Sequence, residues 1–104
     1  MPLPSVSVVL VNYNGAELTL EAIERIREVD YPAELLEIVV VDNASADDSV
    51  ERLSAVGGIT FIPSAENTGF AGGCNLGVSR SSGEIIAFLN SDAKPDPGWV
   101  RAAV

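Results

Sequence analysis

The sequence predicts an α/β domain of three layers, α/β/α, built on a mainly parallel sheet. Three observations carry that expectation. Val6–Val11, Ile38–Val41 and Ile85–Leu89 are short runs rich in β-branched residues with almost no polar alternation, as strands covered on both faces require. Between them lie stretches whose apolar residues recur every three or four positions, the signature of helices that bury one side. Strands that alternate with helices pair in parallel through right-handed crossovers. In the usual doubly wound order the first strand is central, with the second on one side and the fourth on the other.

Each element follows from local pattern. Val6-Ser7-Val8-Val9-Leu10-Val11 is the first strand, closed by the Asn14-Gly15 turn. Ala16, Leu20, Ile23, Ile26 and Val29 form the apolar stripe of the first helix, with Glu17, Glu21, Glu24, Arg25 and Glu28 on other positions. This helix must stop before Tyr31-Pro32, because the residue ahead of a proline is pushed out of the helical region. Ile38–Val41 is the second strand. Ser45 and Asp48 then stand three apart as N-cap and N3 of a second helix, whose face is Val50, Leu53 and Val56 and whose end is Gly57-Gly58. A weaker third strand runs from Ile59 to Ile62 and is closed by Pro63. The glycine-rich segment from Asn67 to Gly77 starts a short helix that runs to about Arg80, its glycines allowing close approach to the sheet or to a ligand. Ser81-Ser82-Gly83 turns the chain into the fourth strand, Ile85–Leu89. A Pro-Asp-Pro-Gly loop at 95–98 precedes a last helix from Trp99.

Composition narrows the function. The chain has 104 residues, which fits one domain, and 47% are hydrophobic, yet no apolar run approaches the roughly 18 residues of a membrane span. Met1-Pro2-Leu3-Pro4-Ser5 lacks the basic and apolar regions of a secretory signal, so a cytoplasmic location is expected. A net charge of −9 without a basic cluster repels a bare phosphate backbone and argues against nucleic acid. An acidic chain still binds a phosphorylated small molecule when a metal ion bridges the two. The absence of His removes imidazole triads and His metal ligands, leaving carboxylates as acid, base and ligand groups. The single cysteine, Cys74, allows no internal disulfide and reads as a small apolar residue.

Three apolar runs deliver polar side chains to one edge: Asn12 and Asn14 after the first, Asp42, Asn43 and Ser45 after the second, and Asn90, Ser91 and Asp92 after the fourth. Asp92, a carboxylate at the mouth of a buried strand, is the candidate ligand for a divalent cation held together with a diphosphate. Neighbouring strands lie about 4.8 Å apart, so the ends of the second and fourth are roughly 10 Å apart, a gap a nucleoside diphosphate spans. The alternative for both Asp42 and Asp92 is a turn acid, which at Asp42 would bond its own backbone. Loop chemistry is likewise the alternative for Asn67, Gly69 and Asn75. Gly72-Gly73 is no dinucleotide fingerprint, since the first strand is followed by Asn12-Tyr13-Asn14-Gly15. A phosphorylated receiver domain would need an acidic pair where Asn12 and Asn14 stand.

Val-Asn-Tyr-Asn at 11–14, Val-Asp-Asn-Ala-Ser at 41–45, Asn-Thr-Gly-Phe-Ala-Gly-Gly-Cys-Asn-Leu-Gly at 67–77 and Leu-Asn-Ser-Asp-Ala at 89–93, in this order and spacing, resemble the N-terminal half of the family-2 glycosyltransferases of GT-A fold. The last two motifs resemble the rhamnosyltransferase-like branch. The resemblance implies a Rossmann-like half-domain over 1–104 that forms the donor-binding portion of a longer enzyme of cell-wall or polysaccharide biosynthesis. It implies transfer from a UDP- or dTDP-sugar to a saccharide or lipid-linked acceptor hydroxyl, with Mg²⁺ or Mn²⁺ as cofactor. It also implies a place beside the inner membrane through the acceptor. On that reading Asp42 accepts a hydrogen bond from the base, backbone around Val11 and Tyr13 frames it, and Asn67, Gly69 and Asn75 line the ribose and phosphates. Asn90 and Ser91 complete the sugar side, with Asn90 in place of the first acid of the family's Asp-x-Asp motif and Asp92 as the metal ligand. The general base is expected beyond Val104. Without it, the alternative is a non-catalytic nucleotide-sugar-binding module, and the exposed sheet edge after the fourth strand invites self-association.

Overall fold

The computed structural model describes residues 2–104. Along the chain run β1 (Val6–Asn12), α1 (Ala16–Arg27), a 3-10 turn (Ala33–Leu35), β2 (Leu36–Asp42), α2 (Ser49–Ser54), β3 (Thr60–Pro63), α3 (Gly69–Ser79), β4 (Ile85–Phe88) and α4 (Trp99–Ala103). All four strands are parallel, in the order β3-β2-β1-β4. The first strand is therefore central, with β2 and β4 on either side, as the doubly wound pattern predicts. Among the described residues no helix is long and apolar enough to cross a membrane.

The sheet divides its side chains by parity, because successive residues of a strand point to opposite faces. Val6, Val8 and Leu10 of β1 and Ile38 and Val40 of β2 belong to a core completed by Ala22, Ile23 and Ile26 of α1, Leu53 of α2 and Val100 of α4. Val9, Val39, Val41 and Ile62 form a second, smaller core on the other face, closed by Leu76 of α3 and by Ile86. This parity carries through to the strand ends, where Asn12 pairs with Asp42 in register.

The second core is thin because α3 lies almost directly on the sheet. Gly73 and Gly77, one helical turn apart, face β1 and β2. A Cβ at Gly77 would sit 2.5 Å from Val9 Cγ1 and 3.3 Å from Val41 Cγ2, and one at Gly73 would sit 2.8 Å from Val11 Cγ1. Of the two roles open to these glycines, close approach to the sheet is the one they fill.

Several boundaries differ from the sequence pattern: β2 lengthens to Leu36–Asp42, β3 shifts to Thr60–Pro63, α2 ends at Ser54, and three further ones bear on the site. The first helix ends at Arg27, where Glu28 and Val29 donate to carbonyls three residues back, tightening the last turn ahead of Pro32. Strand β4 ends at Phe88, although Leu89 N still donates to Val9 O at 3.1 Å. The second helix begins at Ser49, not Ser45, because the Ser45 hydroxyl oxygen, the acceptor a cap would use, already accepts Asn14 N at 2.9 Å while its hydroxyl and amide donate to Asp42. Asp47 instead accepts from Ser49 N at 2.9 Å, a local turn of the kind that competes with helix.

At the amino ends of the strands a polar clamp crosses the sheet. Buried Ser7 on β1 donates its hydroxyl to Glu37 Oε1 on β2 at 2.7 Å and accepts Gly83 N at 2.8 Å, while Ser82 N reaches Glu37 Oε1 at 2.9 Å. Burial raises the Glu37 carboxyl, but the Ser82 amide, with hydroxyl bonds from Ser7, Ser82 and Thr60, outweighs it and leaves the group below the usual carboxylate range. A depressed folded pKa gives stability that is present above the unfolded value of 4.5 and lost as pH falls through the folded one.

Two outcomes follow for stability. Urea unfolding of Gly77→Ala should show a net loss of about 1–2 kcal/mol, because overpacking at the sheet exceeds the helix-propensity gain of an alanine. Glu37→Gln should lose ~0.5–1 kcal/mol at neutral pH, a modest figure for a partly exposed group, and its stability should fall less steeply than wild type between pH 5 and 3. Identical acid limbs for the two proteins would show that the clamp carries no linkage.

Candidate functional site

The carboxyl ends of the strands are where open α/β sheets bind ligands, in the crevice beside the switch in strand order. Here that switch lies at β1, between β2 and β4. The loops that leave these strands, together with the turn into α3, enclose an open cavity of about 370 Å³ lined by Val11, Tyr13, Asn43, Asn67, Gly69, Phe70 and Ser91. Small-molecule sites run from about 300 to 1,000 Å³, so the space suits one. A separate apolar cavity of about 200 Å³, lined by Tyr31, Leu36 and Ile38 among others, lies at the opposite end of the strands.

Each wall has a cause in the chain. Val11 and Tyr13 share the parity of Val9 and face the α3 side, and the Tyr13 ring is 54% exposed. Asn43 follows the parity of Val39 and Val41. Its amide stands between β2 and the start of α3, donating to Gly69 O at 2.9 Å and accepting from Thr68 N at 3.2 Å. Asn67 Oδ1 accepts Gly69 N at 2.9 Å, and Gly69 takes φ +76°, a left-handed value that glycine adopts without steric cost. That turn throws Phe70, 58% exposed, against the cavity at the start of α3. Ser91 comes from the turn after β4, closed by Ala93 N on Asn90 O at 2.9 Å.

Of the residues expected at a binding site, Val11, Tyr13, Asn67, Gly69 and Ser91 line the cavity together. Asp42 does not. Its side chain is fully buried, and it shares the parity of Ile38 and Val40, so it points toward α1. Asp42 Oδ1 accepts from Asn12 Nδ2 at 2.9 Å and from the Ser45 hydroxyl at 2.6 Å, and Oδ2 accepts from Ser45 N at 2.9 Å. The expected bond from this carboxylate to a base is therefore corrected: the group is turned inward and its acceptor sites are occupied. The turn-acid alternative describes it. Asn75 is exposed on α3 and is no part of the wall, and Asn90 contributes its carbonyl to the turn rather than its amide to the cavity.

The residue patterns place Asn43 at this edge without a binding role and do not single out Phe70. Parity would have found Asn43, because a buried parallel strand whose 38 and 40 face one helix layer must turn 39, 41 and 43 to the other.

Asp92 is exposed in the turn beside Ser91. Among the described residues no three Asp, Glu, Cys or His side chains converge. The donors at the turn are oxygen, one carboxylate and the Asn90 and Ser91 side chains, which fits a hard cation that takes its remaining ligands from substrate phosphates and water. Cys74 is half-buried, and burial pushes its thiol up, away from nucleophilic use.

The family model described as Glycosyl transferase family 2 matches residues 7–104. The chain belongs to that family. Its relatives include the glycosyltransferase AglE of Haloferax volcanii, 33% identical over 98% of this chain and 35% of that protein. The succinoglycan biosynthesis protein ExoO of Rhizobium meliloti is 31% identical over 97% of this chain and 29% of its own length. Among solved structures, the mannosyltransferase PcManGT of Pyrobaculum calidifontis, in complex with GDP-Man and Mn²⁺, superposes with a TM-score of 0.82 at 34% identity, covering 91% of this chain and 30% of that one. Staphylococcus aureus TarS shares the fold at a TM-score of 0.85 and 22% identity. The family-2 chain thus spans about a third of the length of these relatives.

Asn43→Ala should cost about 1–2 kcal/mol, since Thr68 N–H and Gly69 C=O lose their partners at the wall of the site. Hydrogen exchange at the Thr68 amide should accelerate while that of Val39 and Val41 stays unchanged; an unaltered Thr68 rate would show that the amide bridge holds nothing.

Proposed function

We propose that residues 1–104 form the donor-binding portion of a glycosyltransferase that takes a nucleotide-diphosphate sugar. The observation that carries this reading is the cavity at the carboxyl end of the parallel sheet, where two exposed aromatic rings, an asparagine amide and a glycine turn meet a serine from the β4 loop. Aromatic faces stack a nucleobase, and polar loop groups suit ribose and phosphate oxygens. On this reading Val11 and Tyr13 frame the base, Asn67 and Gly69 meet the ribose and phosphate side, and Ser91 with Asn90 approaches the sugar. The GDP-Man and Mn²⁺ of the Pyrobaculum calidifontis mannosyltransferase support both the donor class and the cation.

Asp92 would hold Mg²⁺ or Mn²⁺ together with the diphosphate, and a cation there supplies charge neutralisation for the departing nucleoside diphosphate. The acceptor hydroxyl oxygen bonds to the anomeric carbon as the bond from that carbon to the diphosphate oxygen breaks, and the hydroxyl proton passes to a base. No carboxylate lines the cavity among the described residues, which favours a second reading for the 104 residues alone: binding of the donor without turnover. The pyrimidine preference rested on the Asp42 carboxylate as acceptor for a base N–H. With that group turned inward, the donor base is a variable for experiment. A saccharide or lipid-linked acceptor, and a role in polysaccharide assembly, are supported by the name of ExoO.

Calorimetric titration with UDP-, dTDP- and GDP-sugars, each with and without Mn²⁺, tests the proposal. Saturable binding of at least one donor is expected, tightened about tenfold or more by Mn²⁺, or ~1.4 kcal/mol. Asp92→Ala should remove the Mn²⁺ increment and leave the melting temperature within a degree or so, because the side chain is exposed. Failure of every donor to bind would overturn the reading, and an undiminished Mn²⁺ effect in the variant would remove Asp92 from the metal site. A product assay on the same protein separates the enzyme from the binding portion.

A further inference from the structure

We infer that Asp42 is a positioning residue: its buried carboxylate sets the loops after β1 and β2 in the conformation that places Tyr13 and Asn43 at the cavity. The network is continuous. Asn12 uses both ends of its amide, donating from Nδ2 to Asp42 Oδ1 at 2.9 Å and accepting from the Thr19 hydroxyl of α1 at 2.6 Å. Ser45, held through both its amide and its hydroxyl by Asp42, accepts Asn14 N on its oxygen at 2.9 Å. Asn14 closes the circuit by accepting Ala46 N on Oδ1 at 2.7 Å. Tyr13 lies between the two anchored residues of the first loop, and Asn43 lies between Asp42 and Ser45 in the second.

Two residues of these loops sit at left-handed φ, Asn14 at 50° and Ala44 at 63°. For a side chain with a Cβ that region is disfavoured, and alanine has no polar group to compensate locally. Ala44 stands between Asp42 and Ser45, so the two bonds from Ser45 to the carboxylate close over it and hold the turn. An acceptor-only group suits the arrangement, because three donors converge on it. An asparagine at this place would present an N–H to one of those donors. The carboxylate thus acts on a ligand only through Tyr13 and Asn43, and it does so whichever base the ligand carries.

The inference rests on the donor-binding reading for its ligand arm, and the test separates the two. Asp42→Asn is compared with the exchanged pair Asn12→Asp/Asp42→Asn, which restores an amide facing a carboxylate across β1 and β2. Amide exchange is followed at Asn14 and Ser45 and at the strand residues Val9 and Val39, and UDP and GDP are titrated in the presence of Mn²⁺. In the single variant, exchange at Asn14 and Ser45 should rise at least tenfold with the strands unchanged, and UDP and GDP should weaken by the same factor, between fivefold and fiftyfold. The exchanged pair should recover most of both losses. Loss of UDP affinity with GDP retained, and no recovery in the exchanged pair, would show that Asp42 reads the base and would overturn the inference. So would unchanged exchange at the two loops, or loss of protection throughout the sheet. If wild type binds neither nucleotide, the donor-binding reading fails and the exchange comparison still decides whether Asp42 sets the loops.

Discussion

The site depends on one constraint, that two parallel strands end level and are tied there by a buried carboxylate. Asn12 and Asp42 are register partners at the last rung of β1 and β2, and the bond between their side chains extends the ladder past the last backbone pair. A carboxylate removed from water is costly unless it is hydrogen-bonded, and three donors engage both oxygens of Asp42. The requirement is reciprocal. One donor comes from the last residue of β1 and two from Ser45 in the loop after β2, so satisfying the acid also fixes how that loop leaves the strand end.

The other wall depends on closeness rather than on polar bonds. Glycine at 73 and 77 brings α3 so near β1 and β2 that a methyl group would overlap Val9 and Val11. An ordinary apolar helix would stand farther off, with side chains filling the gap. The close approach carries the turn at Asn67–Gly69 down to the level of Asn43, whose amide then reaches it with both ends. Glycines in a helix interior cost about 0.5–1 kcal/mol each relative to alanine, so α3 gives up intrinsic stability to reach this position.

Much of this was legible in the sequence. Unbroken β-branched runs fixed the four strands, and the parallel order with β1 at the centre followed from the helices between them. The delivery of the residues after the first, second and fourth strands to one edge followed from the same alternation, and the place of 67–69 followed from the family resemblance. What was not legible came from tertiary competition for single groups. Ser45 has the spacing of an N-cap, but its acceptor oxygen is taken by Asn14 N from the neighbouring loop while a buried acid three residues earlier holds both of its donors. The role of Asp42 turned on which face of β2 it occupies. A strand-end acid reads the same in sequence whether it points into a cleft or under a helix, and only the parity shared with Ile38 and Val40 distinguishes them.

The same burial bears on how so acidic a chain would accommodate the diphosphate of the proposed donor. The net charge is −9, yet the cavity wall of Val11, Tyr13, Asn43, Asn67, Gly69, Phe70 and Ser91 bears no ionisable acid. Asp42, one residue before Asn43 of that wall, is turned to the other face and both of its oxygens accept from protein donors. Acids exposed elsewhere are weakened as repellents by solvent and by salt, whose screening length is about 8 Å at physiological strength. Two exposed acids flank the wall in sequence, Glu66 before Asn67 and Asp92 after Ser91, and on the proposed function the charge of Asp92 serves a cation rather than opposing a phosphate. Moving one carboxylate beneath the loops leaves the lining free of carboxylates and keeps the neighbouring acids at its rim. That distribution is better suited to a cation-bridged anion than the overall composition suggests.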